Sequence, residues 1–254
     1  MIDIHTHILP GVDDGPQTME ESIALAKAAE EEGIHTIVAT PHHRNGAFDN
    51  PGATVTSLVQ YINESLKELH INVTVLPGQE NRINGDLIEE LENGTAISVN
   101  NSRYVLVEFS SVHIPNYTKQ LFFDLQLHGY TPVIVHPERN QTFLERPDEL
   151  YHLVKAGAIT QITAHCLTGR IDKKTSQFAR QLVEHNLTHV ISSDAHNVEW
   201  RPFDLNEAYQ ILKNEFGSDV SHTFHTNAKC IVENKNVLID PPQHIKKKKF
   251  LWLF

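Results

Sequence analysis

The chain has 254 residues, 40% of them hydrophobic and 21% charged, a composition that suits a folded α/β domain and excludes a disordered polypeptide. Two cysteines, Cys166 and Cys230, are too few for a disulfide framework; MIDIHTH is no signal peptide, and no run of about 18 apolar residues is present to span a membrane, so a reducing, cytoplasmic location is expected. The net charge of −11 repels nucleic acid and phosphate at long range unless bound divalent cations reverse the field locally, and the 17 histidines are the unusual feature.

Strand and helix alternate along the chain. Ile2-Asp3-Ile4 reads as a short strand, and Thr18 to Gly33 as a helix, with Thr18 and Glu21 as a capping box and Gly33 as the stop. Residues 34–39 form the second strand. A helix around 54–69 and a strand at 71–76 follow, then a short helix near 85–92 and the strand Tyr104–Phe109. A helix around 115–128 leads to the strand Thr131–Val135, and one near 147–156 to a strand at 158–163. The last unit is a helix at 172–185, a strand at 188–192 and a helix at 203–215. The seven strands are apolar runs more than alternating ones, as buried parallel strands should be. Such βα units in series build an open doubly wound sheet or a barrel. Residues 1–240 are expected to form one domain, followed by a tail at 241–254.

Polar residues gather just past the strand ends, where parallel α/β folds place their active sites. His5 and His7 form an H-x-H pair, in which residues i and i+2 of an extended chain point the same way. Asp13-Asp14-Gly15 follows, a sequence that also favours a plain turn. His42 and Glu80 come after the second and third strands. Glu108 stands inside the apolar run VLVEF, where an unpaired carboxylate is costly, so a metal or a cation is expected beside it. His136 follows VIV, and Asp194 with His196 forms a second i, i+2 pair. Imidazole and carboxylate without thiolate suit Mn, Fe, Zn or Mg better than a structural zinc site. Arg139 and Arg201 lie beyond two strand ends and have the fork geometry that binds phosphate. Cys166 and Arg170 are separated by three residues rather than the five of a cysteine phosphatase loop, so a thiolate nucleophile is not expected.

The ordered series DIHTH, VDDG, ATPHH, LPGQE, VEF, VHPERN and SSDAHN resembles the polymerase-and-histidinol-phosphatase (PHP) superfamily over nearly the whole chain. Within it, DIHTHILPGVDDGP and VIVHPERN are most similar to the bacterial CpsB/CapC/YwqE-type protein tyrosine phosphatases. The resemblance implies a distorted (β/α)7 TIM-like barrel with a trinuclear site. A first metal would take His5, His7, Glu80 and Asp194. A second would share Glu80 and add Glu108 and His136, although other branches often carry His at the Glu108 position. A third would take Asp14, His42 and His196, with Asp14 chosen over Asp13 by the match of the Asp-Gly step. Mn²⁺ is the implied metal, two or three ions per chain, with Fe, Zn, Mg and Co as alternatives.

The implied reaction is hydrolysis of phosphotyrosine by a metal-activated hydroxide. Arg139 and Arg201 would hold the phosphoryl oxygens, and the general acid is left open between water on a metal and a nearby side chain such as His42. The implied partners are phosphotyrosine proteins, a bacterial tyrosine kinase of capsule or exopolysaccharide export above all. Rival readings are a histidinol-phosphate or other small-molecule phosphatase, a nuclease, which the acidic balance disfavours, and a non-enzymatic scaffold, which the complete ligand set disfavours. Lys246 to Lys249 followed by Phe-Leu-Trp-Leu-Phe reads as a mobile terminus, with weak contact to an anionic membrane or packing on another subunit as alternatives.

Overall fold

A computed structural model describes residues 1–245; the four-lysine and aromatic run at 246–254 lies outside the described residues. Its strands are β1 (Ile2–Thr6), β2 (Thr36–Ala39), β3 (His42–His43), β4 (Thr74–Pro77), β5 (Glu80–Arg82), β6 (Tyr104–Glu108), β7 (Thr131–Val135), β8 (Ile159–Thr163) and β9 (Val190–Ser192). The helices are α1 (Met19–Glu31), α2 (Gly52–Glu68), α3 (Leu87–Asn93), α4 (Thr118–Leu127), α5 (Gln141–Glu145), α6 (Pro147–Lys155), α7 (Ala164–Thr168), α8 (Lys173–Glu184), α9 (Leu205–Phe216) and α10 (Ser218–Val232). Every strand pairing is parallel, in the orders β1-β2-β4 and β3-β5-β6-β7-β8-β9. A parallel bridge between Thr6 and Ala195 joins the two sheets, so the array closes as a distorted TIM-like barrel.

The strand count differs from the seven expected because two strands are broken. Pro41, which has no N–H to give to a ladder, separates β2 from β3. Gly78 separates β4 from β5; a Cβ there would stand 2.7 Å from the Val38 side chain, so the chain passes β2 at a distance only glycine allows. Past each break the strand changes sheet, and Glu80 N donates to Pro41 O at 3.1 Å. The distortion of the barrel therefore lies at the two steps that deliver His42 and Glu80.

Capping follows the sequence with one change. Thr18 caps α1 by accepting from Glu21 N, but Glu21 accepts from Gln17 N at 2.6 Å and not from the cap residue. Asp172 caps α8 through Lys174 N and Thr175 N. Helix α10 follows the last helix expected from the sequence, and its buried Phe224, Ala228 and Ile231 recur at helical spacing. Ala228 and Ile231 pack with Ile4, Tyr104, Leu106, Val133, Val135, Ile159 and Val190, an inner cluster distinct from the larger one that joins the strands to the outer helices. Pleat alternation then aims Glu108, two residues beyond Leu106, and Gln161, two beyond Ile159, toward the same interior.

Past α10 the chain returns along the body. Asn227 accepts from Leu238 N and donates to Leu238 O, Gln243 N donates to His185 O, and His244 stacks on Tyr151 at 3.7 Å. Among the described residues, no helix is long and apolar enough to cross a membrane.

Candidate metal centre

The site is built where β1, β3, β5, β6, β7 and β9 end. β1 carries His5, and His7 follows one residue beyond it; both are buried. The next loop folds back and gives its two aspartates different tasks. Asp13 Oδ2 accepts from His7 Nδ1 at 2.6 Å and from His42 N at 3.2 Å, while its Oδ1 accepts from Gly15 N at 3.0 Å. Gly15 permits this fold, since a Cβ there would meet His7 O at 2.5 Å. Asp14 Oδ1 instead lies 3.5 Å from His42 Nε2 and 3.3 Å from His196 Nε2.

Glu80, fully buried on β5, is the hub. Its Oε2 is 3.5 Å from His5 Nε2, 3.4 Å from His7 Nε2 and 2.7 Å from His42 Nδ1, and its Oε1 is 2.7 Å from His136 Nε2. Asp194 Oδ1 lies 3.5 Å from His5 Nε2 and 3.3 Å from His7 Nε2. Glu108 Oε2 is 3.7 Å from His42 Nδ1. Ligand-type atoms gather within 4.8 Å of one another in three groups: His7, Asp14, His42 and His196; His5, His7 and Glu80; His42, Glu80 and Glu108. His136 and Asp194 border these groups through Glu80 and through the His5–His7 pair. His42 thus stands beside Glu80 and Glu108, His136 lies on the other oxygen of Glu80, and His7 joins the group of Asp14.

Do these residues fit metal ions? His5 Nε2, His7 Nε2, His42 Nδ1, His196 Nε2, Glu80 Oε2 and Glu108 Oε2 are all buried and lack a hydrogen-bond partner, so their mutual contacts are close without being hydrogen bonds. Buried polar atoms left unmatched are costly, and six converging on one place fit a cation shared among them. The other ring nitrogens of His5, His7 and His196 are engaged: His5 Nδ1 with Gln161 Oε1 at 2.9 Å, His7 Nδ1 with Asp13, and His196 Nδ1 with Asp194 O at 2.9 Å. Donation from Nδ1 turns Nε2 toward the cluster, where its lone pair serves as a ligand once the ring is neutral.

Charge is concentrated to match. Burial opposes ionisation of Glu80, but His5 and His42 overcome it and hold the carboxyl well below the usual range. Burial also opposes Asp194, and Arg139 and Arg201 overcome it. Glu108 is pushed up by burial and by the charge of Glu80, with His136 and Arg82 offsetting part. His196 is pushed down to about 4, first by burial and then by His7, which keeps it neutral.

Two site residues occupy backbone regions that side chains avoid. His136 has φ 35° and ψ 51°, and Asp194 has φ 58°. Both are left-handed non-glycine residues just past strand ends, conformations that the surrounding structure must hold in place. Arg139 Nη1 and Arg201 Nη2 both donate to Asp194 Oδ2 at 2.7 Å, and Arg201 Nη1 lies 3.5 Å from Asp14 Oδ2. Both guanidiniums are partly exposed, so they stand at the rim. Cys166 Sγ donates to buried Glu138 at 3.1 Å, and burial pushes the thiol well up, which removes it as a nucleophile.

Sequence reasoning missed Asp3, Asp13 and Gln161 as supports. Asp3, pushed up to about 6 by burial despite its bonds to Ser193, ties β1 to the end of β9 by accepting from Ser193 N at 3.1 Å. Gln161, fully buried on β8, orients its amide by donating to Ile162 O at 2.7 Å. Its signal was a polar side chain inside the strand ITQIT, the same kind that picked out Glu108. Gln161→Leu is expected to weaken Mn²⁺ binding about 10- to 100-fold, read by competition with a chromogenic chelator. Unchanged affinity would show that His5 keeps its tautomer without the amide.

Comparison with known proteins places this geometry in a family. The family model for capsular polysaccharide synthesis, CpsB/CapC, matches residues 1–233. The tyrosine-protein phosphatase YwqE of Bacillus subtilis is 46% identical over 254 residues, all of both chains. The putative tyrosine-protein phosphatase CapC of Staphylococcus aureus is 39% identical over 256 residues, again all of both. A crystal structure from the pair YwqE of Bacillus subtilis and CpsB of Streptococcus pneumoniae, unique metal-dependent tyrosine phosphatases, matches at TM-score 0.95 and 46% identity, covering 97% of this chain and 100% of its own. With its whole barrel and its cluster of imidazole and carboxylate side chains, this chain belongs to the CpsB/CapC family.

Proposed function

We propose that this chain is a metal-dependent protein tyrosine phosphatase that hydrolyses phosphotyrosine on a bacterial tyrosine kinase and its substrates, in the control of capsule or exopolysaccharide synthesis. The observation that carries the reading is the convergence of buried, unpartnered imidazole and carboxylate atoms at the barrel mouth, beneath two arginines. His5, His7, Asp14, His42, Glu80, Glu108, His136, Asp194 and His196 are proposed to hold two or three divalent ions, Mn²⁺ foremost. Such ions, when bound, lower the pKa of water to about 7 and neutralise phosphoryl charge.

The protein's own groups set up the rest. Arg139 and Arg201 share one oxygen of Asp194, and each keeps further N–H donors for an anion at the rim. They bind the phosphoryl oxygens and align the ester bond. His5, His7 and His196 are held in one tautomer by Gln161, Asp13 and the Asp194 carbonyl, so the site needs no rearrangement when substrate arrives. A tyrosine phenolate, whose conjugate acid has a pKa of about 10, needs little acid assistance on leaving. Partly exposed His42, 2.7 Å from Glu80 through Nδ1, is proposed either as a ligand or as the side chain that supplies a proton, not as both at once. Residues 1–240 are proposed as the phosphatase domain, acting in the cytoplasm, with 241–254 as a basic and aromatic tail.

The test is turnover of phosphotyrosine peptide and of histidinol phosphate by metal-stripped protein, with and without Mn²⁺. Mn²⁺-restored activity on the peptide alone is the expected result. Activity on histidinol phosphate alone would keep the site and overturn the substrate.

A further inference from the structure

Beside the candidate centre, a cavity of about 190 Å³ opens past the ends of β5, β6 and β7. Glu108 and His136 line it next to the cluster, and Phe109 and Phe143, packed edge to face at 5.7 Å, form an apolar wall. Two guanidiniums also border it, those of Arg139 and Arg82. Arg82, the last residue of β5, has entered the site so far only as a charge beside Glu108.

Its partners are incomplete. Arg82 Nη2 lies 3.2 Å from Glu108 Oε2, while Nη1 is buried and has no hydrogen-bond partner. Arg139 repeats the pattern: Nη1 donates to Asp194, and Nε is buried without a partner. A buried guanidinium N–H without an acceptor is costly, and an arginine needed only to neutralise Glu108 would gain by using both its terminal nitrogens on that carboxylate. Two arginines, one ending β5 and one in the turn just past β7, each with a spare donor and both lining one cavity, call for an oxyanion from outside the chain. The guanidinium fork matches phosphate oxygens, and the adjoining phenylalanine wall matches a flat apolar ring.

We infer that this cavity seats an aryl phosphate, with Arg82 as a further phosphate contact and Phe109, backed by the fully buried Phe143, against the ring. The inference rests on the phosphatase reading above, and it names the part of the site that selects an aromatic ester. Arg82 approaches the phosphoryl group from the Glu108 side, and Arg139 and Arg201 approach from the Asp194 side. Glu108, neutralised by Arg82, does not repel the incoming anion.

Calorimetric titration of inorganic phosphate into the Mn²⁺-loaded protein tests the contact without depending on turnover. Arg82→Ala is expected to weaken phosphate binding at least 10-fold and to raise KM for a phosphotyrosine peptide by a similar factor, with bound Mn²⁺ unchanged. Arg82→Lys, which keeps the charge and loses the fork, should fall between. Unchanged phosphate affinity in Arg82→Ala overturns the proposal. Loss of Mn²⁺ from that variant also overturns it, since Arg82 would then act only by positioning Glu108. Phenylphosphonate should bind at least 5-fold more tightly than methylphosphonate, and equal affinities would refute the aromatic wall. If wild-type protein binds phosphate through Arg82 yet leaves the peptide intact, the tyrosine phosphatase reading fails and the phosphate contact stands.

Discussion

Glu80→Gln is expected to lower kcat/KM on a phosphotyrosine peptide by about 10³-fold or more and to reduce the number of Mn²⁺ ions bound. The side chain keeps its size, so the cause is charge and hydrogen-bond polarity. Glu80 oxygens lie between 2.7 and 3.5 Å from ring nitrogens of His5, His7, His42 and His136. Two of the three candidate groups include it, and both lose their shared carboxylate. An amide NH₂ in place of one oxygen would also point a donor at the lone pairs that face the cluster. Metal charge is worth several kcal/mol in the transition state, and about 1.4 kcal/mol is a factor of 10 in rate. The barrel should survive, because Glu80 is fixed to its neighbours by backbone pairing from β3 and β6, which the change does not touch. Circular dichroism, metal analysis and kinetics on one preparation decide the matter. A folded variant with full metal content and turnover within 10-fold of wild type would remove Glu80 from the centre.

Arg139→Ala is the second large effect, an expected loss of about 10² to 10³ in kcat/KM, from both a raised KM and a lowered kcat. Arg139 is held where it can act: Nη1 is anchored on Asp194 at 2.7 Å, and burial is outweighed by that carboxylate, which keeps the guanidinium charged. Loss of the fork removes phosphate binding in the ground state, hence the change in KM. Loss of charge beside the transferring group raises the barrier, hence the change in kcat. Asp194 retains Arg201 on the same oxygen, so its charge stays partly matched and metal content should hold. Arg139→Lys should recover only part of the activity, because an ammonium cannot bond Asp194 and phosphate with one rigid plane. Unchanged kinetics would return Arg139 to the role of a partner for Asp194 alone.

The alternation of apolar runs with helical stretches fixed the class of fold, and strands such as Thr131–Val135 matched residue for residue. Apolar pattern is local, set by which face of each segment meets other protein, so it can be read from neighbours a few residues apart. The unusual polar residues were visible for the same reason: Glu108 inside VLVEF, and the paired His5–His7 and Asp194–His196, are exceptions to a local rule. Closure of the barrel decided what no local pattern contains. His5 meets Gln161 across 156 residues, and Ser193 meets Asp3 across 190. The breaks at Pro41 and Gly78 move β3 and β5 into the other sheet, which makes Glu80 the buried hub. Asp13 and Asp14 are alike by composition, and only the fold of their loop sends one carboxylate to His7 Nδ1 and the other toward His42 and His196. The chain alone determines which side chains are out of place in a strand or a loop. The tertiary structure decides which of them share one point in space, because that depends on strand order, closure and close glycine contacts, whose energies act between residues far apart in sequence.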